Sequence, residues 1–73
     1  MWVIIEADPK QGPPPTNQWY PEARVFYALD PSEVVQRVVR GKKDLEFSTR
    51  EEAADYSERL GRRFLQKVLA DVM

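Results

Sequence analysis

Five of the six prolines of this 73-residue chain lie between residues 8 and 22. Proline has no backbone N–H, so this stretch is suited neither to a helix nor to a central strand. The consecutive Pro13, Pro14 and Pro15 favour the stiff polyproline II conformation. Residues 8–22 are therefore predicted to form one long Pro-rich loop, and the regular structure must come from the residues on either side of it.

Two strands are predicted to flank this loop. Residues 2–7 begin with the apolar run Trp2-Val3-Ile4-Ile5, which is too short for a membrane span and typical of a buried strand. Residues 23–29 alternate, with Val25 and Tyr27 on one face and Phe26 on the other. We expect the two segments to pair as a hairpin. Trp2 and Phe26 are assigned to the core, although Phe26 could instead face a partner.

Residues 31–40 fit two structures. Asp30, Pro31 and Glu33 form a helix start signal, and the four valines that follow share one helical face. Valine is β-branched and favours a strand, which would create a second hairpin turning at residues 41–44. We prefer the helix, because the cap and the periodicity agree, and keep the strand as the alternative.

The C-terminal helix is the clearest element in the sequence. Leu45 and Phe47 mark a short strand at residues 45–48, and Ser48 with Glu51, or Thr49 with Glu52, forms a capping box before a helix over residues 50–72. Its apolar side chains recur every three or four residues, namely Ala53, Tyr56, Leu60, Phe64 and Val68. The prediction is an α+β fold and a single domain over residues 1–73. A small antiparallel sheet, of three strands or four in the alternative, packs on this long helix.

The lack of cysteine and histidine excludes several functions. Disulfides, thiolate nucleophiles and cysteine zinc sites require cysteine, and catalytic triads with a histidine base require histidine. We therefore expect no enzymatic activity, no cofactor and no bound metal. The formal charge of −1 argues against binding to membranes or to specific nucleic acid sequences. The first strand begins directly after Met1 with no basic leader, so we expect a complete, cytoplasmic chain. We also expect a monomer.

Partner-binding residues are predicted from charge and aromatic character. Two basic clusters stand out, Arg37, Arg40, Lys42 and Lys43 in the first, and Arg59, Arg62, Arg63 and Lys67 in the second. They would merge into one patch if the helix folds back across the sheet; otherwise they form surface ion pairs, each worth about 0–1 kcal/mol. Trp19 and Tyr20 are either partner anchors or a lid on the core. Arg24, the one basic residue of its strand, completes the candidate set.

One resemblance concerns the middle of the chain. Phe47-Ser48-Thr49-Arg50-Glu51-Glu52-Ala53, preceded by Arg40-Gly41-Lys42-Lys43, resembles the strand-to-helix junction in arm-type DNA-binding domains of tyrosine recombinases. Those domains are three-stranded sheets on one helix that read DNA with their strands. The resemblance covers residues 37–60 and implies, as the alternative function, a small nucleic-acid-binding module of the integrase-arm type.

A second resemblance covers the whole chain. In length, lack of cysteine and histidine, Pro-rich loop and mixed-charge helix, the chain resembles small phage-encoded regulators of host RNA polymerase, of the inhibitor and antiterminator type found in a Xanthomonas phage. This resemblance implies a non-catalytic protein that binds bacterial RNA polymerase in the host cytoplasm, where it inhibits initiation or alters termination. It is the leading functional expectation.

Overall fold

Three strands form the main antiparallel sheet in the computed structural model, which describes residues 2–72 and, for Val72, the backbone only. In chain order the elements are β1 (Trp2–Ala7), β2 (Lys10–Gln11), β3 (Trp19–Tyr20), β4 (Glu22–Asp30), β5 (Glu33–Arg40) and α1 (Arg50–Val72). The main sheet has the order β1-β4-β5, β2 and β3 form a second small sheet, and α1 packs on the main sheet. The predicted α+β fold, with a three-stranded antiparallel sheet and a C-terminal helix, is confirmed.

Residues 33–40 form a strand, so the helix preferred for residues 31–40 is wrong. Asp30 Oδ1 accepts hydrogen bonds from the Ser32 backbone N–H at 3.0 Å and from the Ser32 hydroxyl at 2.9 Å. These bonds lower the pKa of Asp30 and close a turn into β5 rather than capping a helix. β5 pairs with β4 and is the edge strand of the sheet, and Phe47 bridges to Trp19, so the hairpin between β5 and residues 45–48 that the alternative proposed does not form. Pairing with β4 decides the outcome, and the β-branched valines then pack well on the pleated sheet.

The prediction of a single loop over residues 8–22 is wrong, because the Pro-rich stretch contains the two short strands β2 and β3. Inside it β2 and β3 pair, Lys10 with Tyr20 and Gln11 with Trp19. The consecutive prolines occupy the turn between these strands, where the Pro14–Pro15 peptide bond is cis. The reason for the error is local: residues 10–11 and 18–20 contain no proline, so their N–H groups can complete a ladder.

The predicted strand at residues 45–48 is reduced to a single bridge. The Trp19 N–H donates to the Phe47 carbonyl at 2.7 Å, and the Phe47 N–H donates back to the Trp19 carbonyl at 2.8 Å. Residue 47 therefore extends the small β2–β3 sheet instead of the main sheet. β5 takes the third place in the main sheet that this segment was expected to fill.

A close contact between α1 and β4 forms the core. Six side chains on these two elements are buried, namely Ala23, Val25, Tyr27, Ala28, Ala53 and Ser57. The Ser57 hydroxyl donates to the Ala53 carbonyl at 2.6 Å and accepts from the Glu22 N–H at 2.9 Å, which ties the helix to the strand. Gly61 is buried where a Cβ atom would lie 2.6 Å from Ile5 Cγ2. The helix therefore approaches the sheet at a position where a larger residue would clash.

The start of α1 follows the second of the two predicted capping boxes. The Glu52 N–H donates to Thr49 Oγ1 at 3.2 Å, and the Thr49 hydroxyl donates to Glu52 Oε1 at 2.9 Å. Thr49 is thus the N-cap residue, and a bond of this kind satisfies a helix N–H that has no intrahelical partner.

Candidate functional site

The face of the main sheet opposite α1 is apolar and open. Alternate residues of a strand point to opposite faces, so Ile5, Val25 and Val39 turn toward the helix while their neighbours turn away. Four large apolar side chains on this second face are substantially exposed: Trp2 by 44%, Ile4 by 52%, Val34 by 61% and Val38 by 49%. We call the outward side chains of β1, β4 and β5 the open face.

Strand register determines how the open face is arranged. Ile4 of β1, Phe26 of β4 and Gln36 of β5 lie side by side, and Phe26 is half-buried between its neighbours. The next row along the strands contains Glu6, Arg24 and Val38. Apolar side chains therefore cover one end and the middle of this face, and charged groups begin toward the other end.

The chain is elongated, with principal extents of 45, 20 and 17 Å, and it exposes more surface than a compact monomer. The chain exposes 5377 Å², whereas a compact monomer of this mass exposes about 4,700 Å². Its Cα radius of gyration is 13.7 Å, against about 11 Å for a compact domain of this length. One helix covers one face of a three-stranded sheet, and the residues described here provide no second layer for the other.

A basic groove lies at the charged end of the open face. It has a volume of about 180 Å³ and is lined by Lys10, Tyr20, Pro21, Glu22, Arg40, Gly41, Lys42 and Lys43. Arg40 and Glu22 are register partners on the outward side of their strands, in the row that follows Arg24 and Val38. The groove is therefore continuous with the open face.

Carboxylates engage several of the cations near this groove. Asp8 Oδ2 lies 2.8 Å from Lys10 Nζ and 3.2 Å from Arg24 Nη2, and Glu22 Oε1 lies 3.0 Å from Arg40 Nε. The hydrogen bond from Lys10, reinforced by the charges of Lys10 and Arg24, lowers the pKa of Asp8. Asp8 therefore stays ionised at neutral pH and neutralises part of the local positive charge.

The structure brings only part of the predicted site together. Tyr20, Arg40, Lys42 and Lys43 line the groove, and Arg24 lies beside it on the open face. Arg37 belongs to the helix-facing side of the edge strand β5, and its guanidinium donates to the Gln36 carbonyl at 2.9 Å. Arg59 and Arg62 line a separate shallow cleft on α1, where Arg62 pairs with Glu58 at 2.6 Å, and Arg63 is exposed on the same helix. The two basic clusters thus line separate surfaces.

Trp19 and Tyr20 are half-buried and are not side chains of a free loop. The Trp19 backbone pairs with both Gln11 and Phe47. The Tyr20 hydroxyl donates to Glu46 Oε2 at 3.0 Å, and this hydrogen bond raises the pKa of the tyrosine. Both residues therefore attach residues 46–47 to the small sheet.

We expect the double change Trp19→Ala with Tyr20→Ala to lower the free energy of unfolding by about 2–4 kcal/mol, less than the cost of two fully buried aromatic residues. The expected loss comes from the packing that joins β3 to residues 46–47. Urea denaturation provides the measurement. Gln11→Ala, an exposed change in the same small sheet, is the control and should alter stability by no more than about 0.5 kcal/mol. If the double variant is as stable as the wild type, the two aromatic side chains do not stabilise the fold, and their predicted role as partner anchors is favoured instead.

The sequence interpretation missed the open face. Trp2 was assigned to the core but is 44% exposed, and Ile4, Val34 and Val38 were not named as candidate site residues. The signal was present in β1, whose four consecutive apolar residues are apolar on both faces. A chain with one long helix can cover only one of those faces.

No known protein family matches the chain, and no curated protein or solved structure is significantly similar to it. Within residues 2–72, no helix is both long enough and apolar enough to cross a bilayer.

Proposed function

We propose that this chain is a non-catalytic regulator that acts by binding a larger protein through the open face. The observation that carries the proposal is the exposure of Trp2, Ile4 and Val38, each 44–52% exposed on the open face. Contiguous exposed apolar surface on a small protein marks an interaction site. Tryptophan at such a site supplies a large contact area, as interface hot spots do.

The size of the open face favours a larger partner over a second copy of the chain. The three strands have six, nine and eight residues, so the sheet spans roughly 25 Å by 14 Å, which is about 350 Å². A stable interface covers about 800 Å² on each partner. A second copy seated only on this face would therefore make a small contact, whereas a larger protein can also reach the basic groove. We accordingly propose that the chain is a monomer until it binds its partner.

We propose bacterial RNA polymerase as that partner, with the chain acting in the cytoplasm of the host. Support comes from the resemblance of length, composition and mixed-charge helix to phage-encoded polymerase regulators. An exposed apolar face suits this role, because a bound regulator of this size acts by occupying a surface and needs no catalytic group. Inhibition of promoter-dependent initiation, or a change in termination, is the proposed consequence.

The test uses purified bacterial RNA polymerase and the full chain. We expect a dissociation constant of about 1 μM or tighter, equivalent to about −8 kcal/mol, together with inhibition of transcription from a promoter or altered read-through of a terminator. Absence of binding at 100 μM chain would remove polymerase as the partner.

A nucleic-acid-binding module is the second candidate, favoured by the three-stranded sheet on one helix and by Arg24 and Arg40 on its open face. Both arginines, however, are paired with carboxylates, and the middle of the face is apolar. We therefore expect duplex DNA to bind more weakly than about 10⁻⁵ M at physiological salt, in the range of non-specific contacts. Sequence-dependent gel shifts at submicromolar chain would instead favour this candidate.

A further inference from the structure

We infer that the basic groove is a subsite for carboxylate side chains, and that it binds an acidic peptide segment of the partner protein. This inference rests on the proposed function and deepens it, since it assigns a chemistry to the partner surface. It uses the lysines of residues 42–43 and the wall formed by Tyr20, which border the open face but are not part of it.

The floor of the groove is a preformed backbone contact. The Gly41 N–H donates to the Pro21 carbonyl at 3.2 Å, and Pro21 is buried. A Cβ atom on Gly41 would lie 2.7 Å from Pro21 Cγ, so a larger residue would push the two segments apart. Because its N–H is already used, Gly41 offers no backbone donor to a bound phosphate.

Tyr20 lines the groove and is contacted at both ends of its side chain. The Tyr20 ring packs so closely on the β2 side that a Cβ atom on Gly12 would lie 2.7 Å from Tyr20 Cε2. At its other end the hydroxyl donates to Glu46 at 3.0 Å. The ring, together with the aliphatic stems of the lysines, gives the groove apolar sides against which a peptide chain can pack.

The charges in the groove are not balanced. Arg40 pairs with Glu22 and Lys10 pairs with Asp8. Lys42 and Lys43 are exposed, and within residues 2–72 no carboxylate oxygen lies within 4.0 Å of either ammonium group. Two uncompensated ammonium groups in one groove complement two carboxylates of a ligand.

Continuity with the open face specifies the pattern of the segment. Val38 and Arg40 are two residues apart on the same side of β5, so the apolar surface and the groove are separated by about 7 Å. A partner segment that places apolar side chains on the open face therefore brings acidic side chains, two to four residues later, to Lys42 and Lys43.

The test is an NMR titration of the ¹⁵N-labelled full chain with three probes. The first is a blocked hexapeptide of two leucines followed by four glutamates. The second replaces the glutamates with glutamines, and the third is inorganic phosphate. We expect the glutamate peptide to shift the amide signals of Gly41, Lys42 and Lys43 and to bind at least fivefold more tightly than the glutamine peptide. At equal concentration, phosphate should change the chemical shifts of these amide signals by no more than a fifth of the change caused by the glutamate peptide.

Two charge-matched variants locate the site. Lys42→Gln with Lys43→Gln should weaken binding of the glutamate peptide at least fivefold, whereas Arg63→Gln with Lys67→Gln, on the exposed side of α1, should leave it within twofold. Equal binding of both peptides, an equal response to phosphate, or equal losses in both variants would overturn the inference.

The same preparations separate this inference from the proposed function. If polymerase binds in an open-face-dependent manner while the groove does not respond to the glutamate peptide, only the acidic-segment inference fails. If the peptide binds at the groove but no polymerase binds to the chain, polymerase fails as the partner and the acidic subsite remains.

Discussion

Ile4→Glu combined with Val38→Glu is expected to weaken binding of the chain to RNA polymerase by at least about 100-fold, or about 2.7 kcal/mol. Both side chains are about half exposed on the open face, at 52% and 49%. Glutamate can therefore remain solvated in the free chain, whereas an apolar interface would have to desolvate two carboxylates. The measurement is a binding isotherm at fixed salt.

Two controls make this result specific. The free energy of unfolding of the double variant should stay within about 1 kcal/mol of the wild-type value, because neither side chain belongs to the buried core. Gln66→Glu with Ala70→Glu adds the same charge to exposed positions on α1 and should leave the affinity within threefold. Undiminished binding by the open-face variant would move the interface elsewhere.

Gly61→Leu is expected to destabilise the fold by about 3 kcal/mol or more, at the upper end of the cost of overpacking a core. At Gly61 even a Cβ atom would lie 2.6 Å from Ile5 Cγ2 and 3.4 Å from Val25 Cγ2, and leucine adds three further carbon atoms. The helix would have to lift away from the sheet at the centre of their contact. Urea denaturation measures the loss.

Related variants distinguish overpacking from a change in helix propensity. Gly61→Ala gains up to about 1 kcal/mol of helix propensity, which offsets part of its clash, so it should be clearly milder than the leucine variant. Gln66→Leu places the same side chain at an exposed position of the same helix and should change stability by about 0.5 kcal/mol or less. A Gly61→Leu variant as stable as Gln66→Leu would show that the helix and the sheet are not in close contact.

The C-terminal helix and the first strand pair could be predicted because their signals are local. A stripe with helical spacing, the Thr49–Glu52 cap and the alternation of residues 23–29 each favour one type of element. Gly61 is the one glycine among residues 50–72. The structure gives a physical reason for a glycine at this position, namely the close approach of Ile5.

The prediction of a helix for β5 was wrong because the spacing of its valines is compatible with both a helix and a strand. Val34, Val35, Val38 and Val39 lie on one side of a helix, yet in a strand they divide evenly between two faces. The turn at Asp30 and Ser32 resembles a helix cap, since in both cases an aspartate oxygen accepts from a backbone N–H two or three residues later. Pairing with β4 decides between helix and strand. This pairing is a contact between separate elements, so the local sequence of β5 does not show it.

The open face was harder to find than the basic residues. A sequence shows charge directly, but whether Trp2 or Ile4 is buried depends on how many layers cover the sheet. The apolar run in β1 predicts a strand that is apolar on both sides, and the single long helix accounts for one side only. The second apolar side of β1 therefore has no covering element among the described residues.

Site-specific photocrosslinking tests the central claim, that the open face contacts the partner, most directly. Benzoylphenylalanine would be placed at Ile4 or Val38 on the open face, and at Gln66 on the exposed side of α1 as the control. Each chain would be irradiated in complex with RNA polymerase. We expect covalent adducts from positions 4 and 38 and none from position 66. Adducts from position 66 alone, or from no position while binding persists, would contradict docking through the open face.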